Sequence, residues 1–183
     1  HVGVKASQFS FMRLSGADPV LGVEMLSTGE VACLGENFAD AFSNALQSAD
    51  FRIPPKEGSV LITVAGEELK RKVVPIARAL RKMGFKIYAT EHTAEVLRSM
   101  GVNNVSVLHK MREAGMNPNI VEYLQEGKIH MVINIPLANH GANNPVRHAD
   151  VLRDEYAIRR LAVEFNIPVV TNLELASALI KVL

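Results

Sequence analysis

Thr90 and Thr93 stand at a turn between an apolar run (Ile87, Tyr88, Ala89) and a helix-like stretch from Ala94 to Met100. A hydroxyl at such a turn can cap the helix, and the free backbone N–H groups of the first turn point at whatever binds. Lys70 falls in the first turns of another helical stretch, beside the end of an apolar strand. Lys110 and Asn134 fall at the ends of two further strands. Ammonium groups supply charge and hydroxyls supply hydrogen bonds, so Lys70, Thr90, Thr93 and Lys110 suit a phosphate held at a helix N-terminus. The same residues also fit a plainer reading, in which Thr93 caps the helix and both lysines are solvated. Neither a Walker A pattern nor a GxGxxG is present to decide between them.

Other chemistries find less support. His92, His109, His130, His140 and His148 form no HxxxH or HExxH pair, so they read as surface or loop histidines rather than metal ligands. Cys33 lies among Val31, Ala32 and Leu34 and reads as an inert core thiol. Arg159 and Arg160 could meet an anion or a partner. Ser27-Thr28-Gly29-Glu30 reads as a turn or an interface element. Proton abstraction beside a carbonyl needs a positioned base. Yet the fourth strand runs into Asn134-Ile135-Pro136-Leu137, and near the end of the third only Glu113 is available.

These side chains depend on elements that the hydrophobic pattern lays out. From Ser59 onward apolar runs and helical stretches alternate. Runs 59–65, 85–89, 105–108, 129–135 and 168–171 predict strands; 67–83, 93–100, 118–125, 153–166 and 173–183 predict helices. SVLITVA, at 59–65, is continuously apolar, as in a sheet buried on both faces. Pro75 should delay or kink its helix, Gly84 fits its end, and Pro118 is acceptable in a first helical turn. Residues 136–151 are polar, rich in Asn and His, and read as a long loop. The fold class is therefore α/β: a five-stranded, mostly parallel sheet with helices on both faces. A small α+β segment precedes it. There 2–13 alternates like a strand, 20–25 is an apolar run, and Asn37 can cap a helix over 38–49. FRIPPKEG, at 51–58, carries adjacent prolines and marks a boundary. We read 1–52 as one unit, 53–58 as a linker and 59–183 as the main domain. Ligands in such sheets sit at the carboxyl ends of the strands, where the polar residues above are found.

The totals are those of an ordinary soluble globular protein. Apolar residues make up 48% and charged residues 21%, and the net charge of +1 gives no electrostatic case for nucleic acid or an anionic membrane. Trp is absent, which removes the usual base-stacking surface. No apolar run reaches the ~20 residues of a membrane span. The lone cysteine, Cys33, excludes an internal disulfide and fits a reducing, cytoplasmic compartment. The chain starts at His1 with no signal-peptide pattern, which fits a piece of something longer.

Two stretches together carry a family resemblance. GADPVLGVEMLSTGEVACLGENFADAF (16–42) resembles the end of the second ATP-grasp half of the carbamoyl phosphate synthetase large subunit. The match runs through Asp18, Pro19, Leu21, Gly22, Glu24, Met25, Ser27, Thr28, Gly29, Glu30 and Val31. From about Gly58 onward the chain resembles that subunit's C-terminal allosteric domain, of methylglyoxal-synthase-like fold. The markers are Lys70, Ala89-Thr90 with Thr93, Lys110, Val132-Ile133-Asn134 and Tyr156-Ala157-Ile158-Arg159-Arg160.

The resemblance implies a regulatory domain that does no chemistry. The synthetase makes carbamoyl phosphate, for pyrimidine and arginine biosynthesis, from bicarbonate, ammonia and ATP, using Mg or Mn and K ions. Its C-terminal domain binds effectors. In bacterial-type enzymes UMP inhibits, IMP can bind the same site, and ornithine activates near the domain junction. By position, Lys70, Thr90, Thr93 and Lys110 would hold the nucleotide phosphate, and Asn134 and Glu155 would face the ribose or base. Pro136 replaces a threonine of the bacterial pattern, and Glu155 replaces a small hydroxyl residue, so the base preference stays open. Ammonia-specific relatives use N-acetylglutamate, whereas two lysines at phosphate positions favour a nucleotide. The metal- and nucleotide-binding ATP-grasp residues would lie upstream of His1, so the synthetase active site would not be complete in this chain. The partners implied are the rest of the large subunit and a glutaminase small subunit. A different class, a lyase of the methylglyoxal synthase type acting on dihydroxyacetone phosphate, would share the phosphate pocket. It would also need aspartates where this chain has Glu113-Ala114-Gly115 and Ile135-Pro136-Leu137. A third reading is an interaction module whose first fifty or so residues dock on missing domains.

Overall fold

The computed structural model describes residues 1–9, 16–20, 27–110, 115–136 and 145–183, with the side chains of 145–151 left aside. Two sheets organise these residues. Strands β1 (Val2–Gln8) and β2 (Gly29–Gly35) form an antiparallel pair, in register from Val2 opposite Gly35 to Gln8 opposite Gly29. Gly29 and Glu30, read above as part of a turn, already belong to β2. Helix α1 (Phe38–Ser48) follows, capped by Asn37, whose side chain accepts from the Asp40 N–H at 3.0 Å. The turn into α1 is tight. A Cβ on Gly35 would lie 2.3 Å from the Ala41 backbone nitrogen, so only glycine fits there. Cys33 is half-buried on this pair rather than in the main core, with its Sγ 3.5 Å from the Ser48 hydroxyl.

The second sheet is all parallel, in the order β5-β4-β3-β6-β7. Its strands are β3 (Ser59–Val64), β4 (Lys86–Ala89), β5 (Val105–Val107), β6 (Met131–Ile135) and β7 (Val169–Val170). Every residue of β3 and β6 is buried, which explains their largely apolar sequences. Alternate residues serve opposite faces. Val60, Ile62 and Val64 join Ile133 and Ile135 under α2 (Glu67–Lys82), α3 (Glu91–Ser99) and α6 (Leu173–Leu179). Leu61 and Val132 point the other way, into a layer with α4 (Ile120–Gln125) and α5 (Pro145–Glu164). Each such side chain, fully removed from water, contributes roughly 1.5–3 kcal/mol. Phe42 and Leu46 of α1 belong to the first of these cores, so the antiparallel pair is packed onto the α/β unit.

Several boundaries differ from the sequence reading. Helix α2 starts at Glu67, with Pro75 inside it. Pro75 is exposed, so the Arg71 carbonyl that loses its donor faces water and the start is not delayed. Pro118 lies outside α4, which Asn119 caps. The loop expected over 136–151 is shorter, because α5 already runs from Pro145; Val146 to Leu152 hold enough helix formers to extend it backward. Residues 10–13, 21–25, Glu113 and His140 lie outside the described residues. No helix among the described residues is long and apolar enough to cross a membrane.

Candidate functional site

The chain crosses from β3 toward β4 on one face of the sheet and from β6 toward β7 on the other. The switch in chain direction therefore lies between β3 and β6, and the crevice outside the carboxyl ends of the strands at such a point is where these sheets bind ligands. The helix starts are not alike. Three helices are closed by asparagine side chains: Asn37 before α1, Asn119 before α4 and Asn172 before α6. The two that follow the central strands are not. Before α2 stands Gly66, at φ 77°, with no side-chain cap; its positive φ suits glycine. Before α3 stands Thr90, and its hydroxyl makes no cap bond either. Among the described residues, no N-cap side chain closes the first turns of α2 and α3, which stand at neighbouring strand ends.

Thr90 and Thr93 are both buried. Thr93 belongs to the first turn of α3 and does not cap it. Its Oγ1 instead accepts from the Val64 N–H at 3.4 Å and from the Thr90 hydroxyl at 3.3 Å. The pair thus ties β3, β4 and α3 together at the crevice. Lys70 is 9% exposed, and its Nζ lies 2.7 Å from Glu67 Oε1. That hydrogen bond, and the Lys70 charge, hold the Glu67 carboxyl below its ordinary range.

Lys110 faces a different carboxylate. Its Nζ lies 3.5 Å from Oδ2 of Asp154, on α5. The neighbouring Glu155 is 4% exposed, and its Oε2 has no hydrogen-bond partner among the described residues. Burial pushes this carboxyl up to about 7, against the pull of Arg159 and Lys110 and with a smaller push from Asp154 and Asp18. Asn134, on β6 and fully buried, accepts at Oδ1 from Arg159 Nη1 at 2.7 Å, while its Nδ2 has no partner among the described residues. Arg159 also grips Asp18 with both remaining edges of its fork, Nε to Oδ1 at 2.8 Å and Nη2 to Oδ2 at 2.6 Å.

The structure therefore gathers the sequence-predicted residues into two groups at one set of strand ends. Lys70, Thr90 and Thr93 line the start of α2 and α3; Lys110, Asn134 and Glu155 meet α5. Arg159, read as able to meet an anion, meets Asp18. Carboxylates also arrive from outside the strand ends: Asp154 and Glu155 from α5, and Asp18 from a segment more than a hundred residues earlier in the chain. Asp154 and Asp18 carried no sequence signal for this role, since long-range folding alone brings them here. Among the described residues no group of three or more His, Cys, Asp or Glu is placed to hold a metal ion.

Two uncapped helix starts, the buried cations Lys70 and Arg159, and the polar side chains of Asn134 and Glu155 stand together at the strand ends of this α/β domain. The chain belongs to the MGS-like domain family, which matches residues 72–171. It is 40% identical over 180 residues to the carbamoyl phosphate synthase large chain, C-terminal section, of Methanopyrus kandleri, covering 98% of this chain and 31% of that protein. Against the multifunctional protein pyr-3 of Neurospora crassa it is 39% identical over 183 residues, 98% of this chain and 10% of that one. Against the mitochondrial carbamoyl-phosphate synthase [ammonia] of Aquarana catesbeiana it is 40% identical over 175 residues, 95% and 11% of the two chains. The chain thus spans less than a third of each of these relatives.

Proposed function

We propose that this chain is the effector-binding, non-catalytic regulatory domain of a carbamoyl phosphate synthetase large subunit, and that its ligand is a nucleoside monophosphate such as UMP or IMP. One observation carries the ligand class. The Thr90–Thr93 pair and Lys70 stand at the uncapped helix starts, and Asn134, with an unpartnered Nδ2, stands on β6, on the other side of β3 from Thr90. The β4 and β6 backbones are two strand spacings apart, about 10 Å. A ligand with a phosphate at one end and a polar ribose and base at the other suits both groups. The phosphate would take the α2 and α3 N–H groups with Lys70, Thr90 and Thr93, and would draw Lys110 from Asp154. Asn134 and Glu155 would meet the sugar or base.

The relatives support the regulatory reading, since nearly the whole chain aligns with the synthetases named above. ATP, its Mg or Mn ions and K would then be held by the rest of the large subunit. That remainder and a glutaminase small subunit are the proposed partners, with ornithine bound near the domain junction. A ligand can control a distant active site only by binding its two states differently.

Isothermal calorimetry tests the assignment. UMP or IMP should bind, and Lys110→Ala and Thr93→Ala should each weaken binding. Heat with N-acetylglutamate and none with either nucleotide would overturn the nucleotide reading.

A further inference from the structure

Three residues on one side of α5 hold three consecutive residues of the early chain. The Tyr156 hydroxyl donates to the Gly16 carbonyl at 2.7 Å, Arg160 Nη1 to the Ala17 carbonyl at 3.4 Å, and Arg159 to both oxygens of Asp18. Residues 16–18 are thus strapped across the helix that walls the crevice. Arg159 is the point where strap and site meet, because the same guanidinium holds Asn134 Oδ1. That bond decides how the Asn134 amide lies. With Oδ1 bound, Nδ2 is the end left without a partner.

Arg159 is 3% exposed, so its charge needs a carboxylate nearby. Asp18 supplies one, through the bidentate geometry that suits a guanidinium. A second stands one helical turn away: Glu155, at i−4, the favourable order for an acid–base pair on a helix. While Asp18 is docked, Glu155 Oε2 stays unpartnered. If Asp18 leaves, the buried guanidinium has Glu155 to turn to. That turn would spend the free oxygen and release Asn134.

We propose that Arg159 is a positioning residue that switches between Asp18 and Glu155, so that docking of the 16–18 strap prepares Asn134 and Glu155 for the ligand. The inference rests on the nucleotide reading above. By reciprocity, a ligand that uses these two residues tightens the strap by the same factor.

The test compares wild type with Asp18→Asn in the full chain, using UMP and IMP as probes and inorganic phosphate as the control. Asp18 is 38% exposed at its side chain, so the variant should fold. Tyr156→Phe, which loosens the strap without touching the ion pair, serves as a second variant. We expect nucleotide affinity to fall about 5- to 20-fold in Asp18→Asn, with phosphate affinity unchanged. In Glu155→Gln the same Asp18 substitution should cost markedly less, a non-additivity that a merely structural role would not produce. In wild type, saturating nucleotide should slow amide exchange at 16–18. Unchanged nucleotide affinity in Asp18→Asn, or equal losses for nucleotide and phosphate, would overturn the switch and leave the nucleotide reading standing. If wild type binds neither UMP nor IMP, the nucleotide reading falls and the switch falls with it.

Discussion

Thr93 Oγ1 accepts the Val64 backbone N–H at 3.4 Å, so a residue expected to serve a ligand or a helix cap also closes the end of a central strand. Thr93 is 1% exposed and Val64 is buried. Replacing the hydroxyl by a methyl leaves a buried donor unsatisfied, which costs roughly 1–3 kcal/mol. Thr93→Val should therefore lower the urea midpoint by a corresponding amount at unchanged m-value. A midpoint equal to that of wild type would mean that this bond does not hold β3 to α3.

Glu155 should make stability depend on pH in the direction opposite to an ordinary paired carboxylate. Its carboxyl is pushed from 4.5 to about 7, chiefly by burial. The folded state therefore holds a proton that the unfolded state has already lost, and stability falls as pH rises through this window. The penalty is small near pH 4.5, grows up to about pH 7 and then levels off at a few kcal/mol, with about 3 as its ceiling. Glu155→Gln should gain on wild type progressively across that range in chemical denaturation. A gain that stays constant between pH 5 and 8 would assign the carboxyl an ordinary titration.

Gly35 is a steric requirement rather than a flexible joint. An alanine methyl would sit 2.3 Å from the Ala41 nitrogen and 2.8 Å from its Cα, both backbone atoms that cannot step aside. Gly35→Ala should destabilise by about 1–3 kcal/mol, seen as a lower Tm. Gly101→Ala makes a useful contrast. Its Cβ meets nothing within 4 Å, and its penalty comes only from φ +82°.

The chain should release no inorganic phosphate from dihydroxyacetone phosphate. Two of the carboxylates that reach the crevice are engaged, Asp18 by Arg159 and Asp154 by Lys110. A coupled phosphate-release assay checks this. Turnover abolished by Glu155→Gln would make that residue a base and the chain a lyase.

Fold class was legible because burial leaves a local mark. A strand sealed on both faces is dominated by apolar residues, as 59–64 and 131–135 are, and helices on a sheet must show one apolar side. Thr90, Thr93, Lys70 and Lys110 were also visible, since strand ends are local features and topology sends ligands there. The long loop was misread because its polar composition hid a helix start at Pro145.

What the sequence by itself determined is the alternation of strands and helices and the list of polar residues at the strand ends. Each of those follows from interactions within a turn or two of the chain. Only the tertiary structure decided what each polar residue meets. Lys110 finds Asp154 and Arg159 finds both Asn134 and Asp18, while Asn134 Nδ2 and Glu155 Oε2 are left without partners. A salt bridge or an unsatisfied buried atom depends on which distant segments share one dry crevice, and a hydrophobic pattern does not record that.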